Sequence, residues 1–417
     1  MAVEPVSRDV DVLVVGGGPA GAAAAIELAR AGRSVMVIDR ATFPRDKCCG
    51  DGLTTLALRE LEHLGFTPDL VPDWYDVDAA HLRSPSGREV TVPLPDRGRY
   101  AAVAPRMQFD HAVLELARSA GAIVHDGHAV VGIDTADAAA TDGYVTAEVD
   151  GIGSVRSRYV VAADGMWSPI RKMLGVHTPG YLGEWHAFRQ YARHVTGPAA
   201  QRLYVWFEPD LLPGYAWSFP LPDGRVNIGF GVLRDGTRRV QDMAQLWTDL
   251  LARPHVVAAL GTDAELEGRH TAWPIPARVD RAVLSHGRVL FVGDAAGATD
   301  VMTGEGIGQA LLTGRVAAGS LLTAGATRPG RATARYEREV RHHLVADHRM
   351  SQLLGRALAS EMGARGAIRV VGASGTWGRR NFARWMFEDE PRAVALTPAR
   401  WHRGFLTRPG AWADRAA

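Results

Sequence analysis

The alternation of apolar and polar residues in the first third of the chain predicts a parallel sheet with helices packed on it. Residues 12–15 and 35–38 are short β-branched runs typical of buried parallel strands, and residues 20–31 between them have a helical pattern of small residues. Another amphipathic helix is expected over residues 106–120. The apolar runs in residues 122–165 return to the same sheet, which gives this part an α/β pattern.

A second pattern, with strand-like alternation and many aromatic residues, extends from residue 184 to residue 273. It includes YAWSFPLPDGRVNIGFGVL, in which Pro222 to Gly224 predict the turn of a hairpin in a mainly antiparallel sheet. Residues 287–297, GRVLFVGDAAG, are again a buried strand that ends in glycine and belongs with the first sheet. After Arg331 the pattern is helical to the end, with a weak break near residues 372–378.

A glycine-rich motif stands between the first strand and the first helix. Gly16, Gly18 and Gly21 have the spacing of a dinucleotide-binding turn, and Asp39 ends the second strand about 20 residues later. The glycines allow a tight turn, so that backbone amides at the helix N-terminus can reach a pyrophosphate. The carboxylate of Asp39 can accept hydrogen bonds from an adenosine ribose. The complete unit therefore predicts a bound dinucleotide.

These patterns predict an α/β fold class: a discontinuous Rossmann-like cofactor domain, an inserted, mainly antiparallel substrate domain, and a C-terminal helical segment. The cofactor domain is expected to comprise residues 1–75, 101–180 and 276–330. The substrate domain is expected to comprise residues 181–275 with strands from residues 76–100, and the helical segment residues 331–417.

The composition excludes some partners and locations. The 47 basic and 46 acidic residues give no electrostatic reason to expect a nucleic-acid partner. Cys48 and Cys49 are adjacent and unsuited to an ordinary structural disulfide, so a reducing, cytoplasmic location is expected. No apolar run reaches the roughly 20 residues needed to span a bilayer, and the residues before Asp11 lack a signal-peptide pattern. His343 and His348 do not have metal-ligand spacing, so no metal is expected.

Residues 293–322 are rich in small residues, contain Asp294 and Glu305, and continue as an apolar helix. A helix that begins within residues 303–306 would point its free amides and positive dipole end at a ligand, and only small residues would let that ligand approach. The alternative is a helix packed tightly on a sheet through glycine and alanine. For Glu305 we expect a role in capping its helix rather than in chemistry.

The order of three motifs, at Gly16–Gly21, Asp164–Gly165 and Gly293–Asp294, resembles the flavoprotein superfamily of p-hydroxybenzoate hydroxylase. Within that superfamily, three segments are similar to the geranylgeranyl reductase family, which includes menaquinone side-chain reductases. The segments are FPRDKCCGDGL, LPGYAWSFPLPDGRVNIGFGVL and GDAAGATDVMTGEGIGQALLTGRVAA. The resemblance implies FAD as cofactor and reduction of isoprenoid carbon–carbon double bonds. The first domain would then be the FAD-binding domain. Asp300 and Val301 stand where the family commonly has Asn-Pro. The shape of the loop beside the flavin, and with it the identity of the substrate, therefore stays open.

The resemblance also implies roles for single residues. Arg106 would face the FAD phosphates, and Asp294 would hold the ribityl chain. Cys49, Tyr215 and Trp217 would be the catalytic and substrate-site residues, with Phe219 and Pro220 completing the aromatic motif. The expected FAD contacts are Gly16, Gly18, Ala20, Gly21, Asp39, Arg40, Cys49, Gly50, Arg106, Val130, Asp164, Gly293, Asp294, Gly304, Gly306 and Ile307.

Competing interpretations remain for these residues. Cys49 could be a packed small residue, and Tyr215 and Trp217 could be the core of a sheet. The same motifs could serve a flavin monooxygenase or halogenase of an aromatic substrate, or a flavin-binding protein without turnover. Halogenases need a lysine in a loop near the flavin, and only Lys47 lies nearby. The chain has one visible dinucleotide unit, so the electron donor is either NAD(P)H or a ferredoxin.

The segment from Trp377 to Phe387 mixes large aromatic residues with arginines. A basic aromatic helix can lie in a membrane interface, and an isoprenoid substrate would have to be collected from lipid. The same segment could simply cover the substrate domain. Peripheral contact with the inner face of the cell membrane and helix packing are therefore both open.

Overall fold

The fold is described from a computed structural model over residues 8–140, 142–234 and 242–413. The outer ends of the predicted first and last segments, residues 1–7 and 414–417, lie outside the described residues, as do residue 141 and residues 235–241 of the predicted substrate domain. The prediction that the N-terminus is not a signal peptide concerns mainly residues 1–7, which lie outside the described residues.

The described strands form three sheets. They are β1 (Arg8–Val15), β2 (Val35–Asp39), β3 (Gly52–Thr54), β4 (Tyr75–Asp76), β5 (Ala79–Arg83), β6 (Glu89–Pro93), β7 (Ala101–Val103), β8 (Ile123–Asp126), β9 (Val130–Asp134), β10 (Val145–Val149), β11 (Gly153–Ala162), β12 (Trp185–Arg193), β13 (Leu203–Trp206), β14 (Tyr215–Pro220), β15 (Val226–Leu233), β16 (Glu265–Ile275), β17 (Ser285–His286) and β18 (Val289–Phe291).

The described helices cover the sheets and the C-terminal region. They are α1 (Pro19–Arg30), α2 (Thr55–His63), α3 (Arg106–Ser119), α4 (Pro169–Met173), α5 (Asp242–Leu251), α6 (Pro254–Leu260), α7 (Ile307–Ala324), α8 (Pro329–Val340), α9 (Ala346–Leu358), α10 (Glu361–Ala373) and α11 (Gly375–Met386). A π-helical segment, Arg341–Val345, joins α8 to α9.

The first sheet has the order β17-β18-β11-β1-β2-β8, and β9 and β10 continue it antiparallel from β11. Its five central strands, from β18 to β8, run parallel. Leu13 and Val14 of β1 have no exposed surface, because both faces of a parallel sheet are covered. The predicted α/β fold class is confirmed, and the carboxyl ends of these five strands lie at one edge of the sheet.

The second sheet has the order β16-β12-β15-β14-β13-β5-β6 and is antiparallel except between β13 and β5. The predicted hairpin is present: β14 and β15 pair through the turn Pro222–Gly224, in which Asp223 has φ 62°. Strands β5 and β6 come from the predicted 76–100 segment and join this sheet. The domain boundaries themselves stay a prediction.

The C-terminal region departs from the prediction of helix to the end of the chain. Helices α8 to α11 continue to Met386, and the predicted break is present between α10 and α11. Beyond Met386 the described residues contain only the short 3-10 turns Val394–Leu396 and Pro398–Arg400. The continuous-helix prediction was wrong because the prolines there remove backbone donors. This segment returns to the first domain, where Trp412 is 2% exposed.

Helices α1 and α7 pack against each other through small residues. Ala22 to Ala25 of α1 have no exposed surface. A Cβ on Gly314 of α7 would lie 2.1 Å from the carbonyl oxygen of Ala20, so the two backbones are in contact. Tight packing through glycine and alanine, proposed as an alternative for α7, therefore holds in the body of the helix.

We predict that Gly314→Ala destabilises the fold and that Gly319→Ala, in the same helix, does not. A methyl group on Gly314 must push α7 away from α1, which costs about 1–3 kcal/mol. Gly319 has open space around its Cβ position, so alanine there should be neutral or stabilise by about 0.5–1 kcal/mol. Urea unfolding of both variants measures the difference. Equal stabilities would contradict the contact between the two helices.

Candidate functional site

A cavity of about 630 Å³ lies where the carboxyl ends of β1, β2, β11 and β18 face the second sheet. Such an edge is the usual ligand site of a parallel α/β sheet. All the predicted site residues except Gly21 line it: Gly16, Gly18, Ala20, Asp39, Arg40, Cys49, Gly50, Arg106, Val130, Asp164, Tyr215, Trp217, Gly293, Asp294, Gly304, Gly306 and Ile307. The fold thus brings residues from seven parts of the chain to one space.

The three glycines of the first motif have different physical reasons to be glycine. A Cβ on Gly16, which has φ +108°, would lie 2.2 Å from the carbonyl oxygen of Ala163. A Cβ on Gly21 would lie 1.9 Å from the carbonyl oxygen of Gly16. A Cβ on Gly18 would meet only the guanidinium of Arg45, at 3.5 Å. Gly16 and Gly21 therefore serve the fold, whereas Gly18 leaves room for a ligand at the N-terminus of α1.

Asp39 lies beside this turn at the end of β2. Its Oδ2 accepts a hydrogen bond from the Gly17 amide at 2.7 Å, and its Oδ1 accepts one from the Ala41 amide at 2.8 Å. These bonds fix the orientation of the carboxylate, and each oxygen keeps a lone pair for a ligand hydroxyl. The arrangement suits the ribose role that the sequence predicted.

The predicted phosphate residue Arg106 is buried and held by another side chain. It makes a two-point ion pair with Asp110, at 2.7 and 2.6 Å, and Arg45 reaches the same carboxylate at 2.9 Å. Arg45 lies nearer than this pair to the open side of Gly18. Sequence reasoning missed Arg45, although it belongs to the quoted segment FPRDKCCGDGL. The two guanidinium groups carry one more positive charge than Asp110 neutralises, which suits an anionic pyrophosphate.

Lys47 and Asp294 form an ion pair on the cavity wall. The Nζ of Lys47 lies 2.9 Å from Oδ2 of Asp294, and both side chains are about a quarter exposed or less, at 27% and 19%. Lys47 comes from the loop after β2, and Asp294 from the turn after β18, so the pair joins two sides of the site. Lys47 was not predicted as a site residue.

Asp164 also has local partners. Its carboxylate accepts hydrogen bonds from the Ser168 hydroxyl at 2.8 Å and from the Ile170 amide at 2.9 Å. These bonds hold the start of α4 at the rim of the cavity. Burial raises the pKa of Asp164 above its ordinary value.

The loop before α7 is ordered by Asp300, one of the two residues that depart from the family pattern. Its Oδ1 accepts hydrogen bonds from the amides of Met302 and Thr303, at 3.0 and 2.8 Å. Helix α7 begins at Ile307, not within residues 303–306 as expected, because Gly304 has φ +73° and interrupts the helical path. The N-terminus of α7 still faces the cavity through Gly306 and Ile307.

The expected capping role of Glu305 is contradicted. The N-cap residue of α7 is Gly306, so no side chain caps the helix at that position. Glu305 precedes Gly306 and belongs to the loop. The Glu305 side chain instead lines the cavity, where its Oε1 lies 3.8 Å from the position of a Cβ on Gly52. Burial, followed by the charge of Glu388, raises the pKa of Glu305 to about 8.

The wall opposite the first sheet is aromatic. Tyr215, Trp217 and Phe219 point into the cavity from β14. Trp217 is 5% exposed and packs within the core of the second sheet, so these rings are both core and cavity wall. The Tyr215 hydroxyl donates to the carbonyl oxygen of Thr303, which links this wall to the loop before α7. Pro220, the last residue of the aromatic motif, does not line the cavity.

A buried polar network holds the loop that carries Cys49. Asp51 has no exposed surface and φ 63°, and its Oδ2 accepts hydrogen bonds from the Tyr191 hydroxyl at 2.5 Å and the Asn227 amide at 2.8 Å. The same amide of Asn227 donates to the carbonyl oxygen of Cys49 at 2.8 Å, and the Asn227 Oδ1 accepts from Trp217 at 3.1 Å. Asn227 thus ties the cysteine loop to the aromatic wall.

The titration of this network follows from its burial. Burial raises the pKa of Asp51 to about 6, against the opposing effect of the Arg189 charge. Burial likewise raises the pKa of the Cys49 thiol to about 11, so that thiol is protonated at neutral pH. Sequence reasoning missed Asp51 and Asn227. A polar residue inside the apolar strand VNIGFGVL was the available signal for Asn227.

No group of three or more His, Cys, Asp and Glu side chains in the described ranges could hold a metal ion. Likewise, none of the helices in the described part of the chain combines the length and apolar character needed to cross a bilayer.

Comparison with known proteins defines the class of this chain. A family model described as an FAD binding domain matches residues 9–344. A menaquinone reductase of Mycobacterium tuberculosis is 35% identical over 344 residues, which cover 75% of this chain and 76% of that protein. Digeranylgeranylglycerophospholipid reductase 1 of Methanopyrus kandleri is 31% identical over 320 residues, which cover 74% and 79%.

Solved structures agree on the fold. A geranylgeranyl bacteriochlorophyll reductase-like protein of Thermoplasma acidophilum has a TM-score of 0.77 at 21% identity, and the match covers 95% of this chain and all of that chain. The halogenase PltM with phloroglucinol and FAD has a TM-score of 0.69 at 19% identity, covering 93% and 86%. The fold is therefore shared by reductases and halogenases.

The chain is an FAD-binding flavoprotein oxidoreductase, and it belongs to the geranylgeranyl reductase family. The predicted cofactor, FAD, is confirmed. The residues present fit that cofactor: Gly18 leaves open space at the N-terminus of α1, Asp39 is preoriented, and cationic side chains adjoin the glycine turn. The assignment of individual FAD contacts, and of Cys49, Tyr215 and Trp217 as catalytic residues, stays a prediction.

We predict that Gly18→Leu abolishes FAD retention while the protein remains folded. Its backbone has φ −71°, which any residue adopts, and a side chain there would occupy the cofactor space. Gly319→Leu, on an exposed part of α7, is the matched control. Flavin absorbance after purification and the circular dichroism of both variants measure the two properties. Retention of FAD by folded Gly18→Leu would show that the cofactor lies elsewhere.

Proposed function

We propose that the protein is an FAD-dependent reductase that saturates carbon–carbon double bonds of an isoprenoid lipid or prenyl quinone. The observation that carries the proposal is that one cavity joins a dinucleotide cradle to a wall of aromatic side chains. The names of two relatives above 30% identity, a menaquinone reductase and a digeranylgeranylglycerophospholipid reductase, support this substrate class. An apolar chain suits an apolar wall that excludes water.

The chemistry divides between cofactor and protein. FAD supplies the hydride when it is bound and reduced. Gly18 and Arg45 would hold the pyrophosphate, and the Lys47–Asp294 pair would orient the middle of the cofactor. The free amides at the N-terminus of α7 would stabilise negative charge on the reduced ring. Tyr215, Trp217 and Phe219 would position the prenyl chain and exclude water.

The alternative of a monooxygenase or halogenase has weaker support. The structural likeness to the halogenase is at 19% identity and concerns the fold alone. Lys47, the lysine nearest to the flavin loop, is engaged by Asp294 at 2.9 Å. For the electron donor we infer NAD(P)H or a ferredoxin, and anaerobic mixing with each distinguishes them by bleaching of the flavin.

We predict that dithionite-reduced protein, mixed anaerobically with menaquinone or a geranylgeranyl lipid, is reoxidised and yields a product whose prenyl chain is heavier by two hydrogens. The mass of the prenyl fragment distinguishes this product from a quinol with an unchanged chain. Tyr215→Ala should retain FAD and lose turnover about 100-fold, because the prenyl chain and the Thr303 loop lose a contact. Tyr215→Phe keeps the ring and serves as the control for the hydroxyl. Flavin reoxidation that requires oxygen, without alkene reduction, would support the monooxygenase instead.

The C-terminal helices present a basic, apolar surface suited to a membrane. Met362 and Val370 of α10 are 82% and 70% exposed, and Trp377 of α11 is 74% exposed. Arg365 and Arg369 are exposed on α10 beside them. This surface differs from the predicted one, because Phe382 and Phe387 pack against the second sheet and cannot enter a bilayer. Part of the C-terminal segment thus packs on the second sheet, and another part stays exposed.

We infer that this surface, defined by Met362, Arg365, Arg369, Val370 and Trp377, docks on the inner face of the cell membrane. A polyprenyl chain does not diffuse through water, since each buried methylene is worth about 0.8 kcal/mol. Exposed rings and aliphatic side chains would enter the acyl boundary, and the arginines would contact anionic headgroups.

We predict that the protein sediments with phosphatidylglycerol-containing vesicles and that salt weakens this binding. The pair Met362→Gln and Trp377→Gln should reduce sedimentation at least about tenfold, because two apolar side chains no longer enter the lipid. Val131→Gln is the control, since Val131 is 61% exposed on β9. Equal sedimentation of the wild type and the double variant would contradict the surface.

A further inference from the structure

Glu305 is a carboxylic acid at the aromatic end of the cavity. Its backbone is held by two hydrogen bonds: its carbonyl accepts from Asp300 at 2.9 Å, and its amide donates to the Thr303 hydroxyl at 3.3 Å. Within the described ranges its carboxylate has no hydrogen bond or ion pair, unlike the other acids nearby. A group that is fixed in place but has unused oxygen atoms can act on a bound substrate.

The surroundings of Glu305 contain more acid than base. Glu388 accepts hydrogen bonds from Thr54 at 2.9 Å and Gln309 at 2.8 Å, and its side chain is 8% exposed. Arg392 lies 3.7 Å from Glu388 and 4.0 Å from Asp300. Glu388 and Asp300 therefore share one arginine, whereas Glu305 has no ion pair with it in the described ranges. Burial, and then the charges of Glu388 and Asp300, raise the pKa of Glu305 above its ordinary value, because like charges disfavour one another in a buried site.

We propose that Glu305 donates the proton to the substrate double bond. The proposal rests on the proposed prenyl reduction. One alkene carbon accepts a hydride, and the other accepts the proton of the Glu305 carboxyl group. The π bond and the O–H bond break, and two C–H bonds form. The two electrons come from the reduced flavin, which is oxidised, and the Glu305 carboxylate then takes a proton from solvent.

The other acids of the cavity are less suited to this step. The Tyr215 hydroxyl donates to the Thr303 carbonyl, and burial and the Glu305 charge raise its pKa well above its ordinary value. The pKa of Cys49 is raised to about 11, whereas that of Glu305 is raised to about 8, mainly by burial in both cases. A proton donor works best when its pKa lies near the working pH, which favours Glu305.

The pH dependence follows with a definite sign. The groups that face Glu305 are Glu388 and Arg392 from the segment after α11, Asp300 from its own loop, Tyr215 from β14, and Cys49 from the loop after β2. Burial raises the pKa of Glu388 to about 7, and the negative charge of Glu388 favours the protonated form of Glu305. Below pH 8 the Glu305 carboxyl group keeps its proton, so its titration should not affect the rate of alkene reduction. Above pH 8 the rate should fall about tenfold per pH unit.

The experiment measures single-turnover reoxidation of the anaerobically reduced holoprotein by a geranylgeranyl lipid, which has alkenes but no quinone ring to accept the electrons, between pH 6 and pH 10. Glu305→Gln should be slower by about 10²- to 10⁴-fold and should lose the alkaline fall, while it retains FAD. Glu305→Asp should restore part of the rate. Glu388→Gln should move the fall to lower pH, because it removes a negative charge that retains the proton. Glu89→Gln, exposed on β6, is the control.

A second measurement does not depend on turnover. Infrared difference spectra of the holoprotein should show a protonated carboxyl band that titrates near pH 8 in the wild type and is missing in Glu305→Gln. A wild-type rate in Glu305→Gln, or an ionised Glu305 at pH 7, overturns the donor role and leaves the proposed function intact. Failure of the wild type to reduce any prenyl lipid overturns the proposed function, and the donor role with it, even if the band is present.

Discussion

The structure depends on how closely α1 and α7 approach each other. The buried alanines of α1 and Gly314 of α7 bring the two backbones into contact, with no room for a side chain on Gly314. Both helices begin at the same cavity, one after Gly18 and the other after Gly306. Their positive dipole ends therefore converge on one cavity. A wider separation would move the pyrophosphate turn away from the flavin-side loop.

The opposite side of the cavity is built from parts that lie far apart in sequence. Asn227 of β15 joins the Cys49 loop to Trp217, and Tyr215 contacts the loop before α7. The segment after α11 adds Glu388 and Arg392 behind Glu305. The acid–base character of the site thus depends on a C-terminal segment that carries no recognisable motif. The same C-terminal region presents the exposed surface of α10 and α11, so it could serve both the chemistry and lipid access.

The departure at Asp300 has a structural account. Where the family commonly has Asn-Pro, Asp300 accepts two backbone hydrogen bonds within the loop and one from the Ser351 hydroxyl at 2.6 Å. The Trp185 indole donates to the carbonyl oxygen of Val301 at 2.8 Å. These bonds order the loop without a proline. They also place the charge of Asp300 near Glu305, where it adds to the burial that raises the pKa of Glu305.

The sequence by itself determined the α/β class, the antiparallel second sheet, the hairpin at Pro222–Gly224 and the family. These properties follow from local periodicity, turn residues and motif spacing, which a chain displays without its tertiary contacts. Only the tertiary structure decided that α7 begins at Ile307, that the chain after Met386 is not helical, and that Glu305 faces the cavity instead of capping its helix. Arg45, Lys47, Asp51 and Asn227 likewise gain their roles from partners 65 to 247 residues away. The charge and the burial of a site residue depend on all its neighbours in space, many of which are distant in sequence. A local sequence pattern therefore cannot predict them.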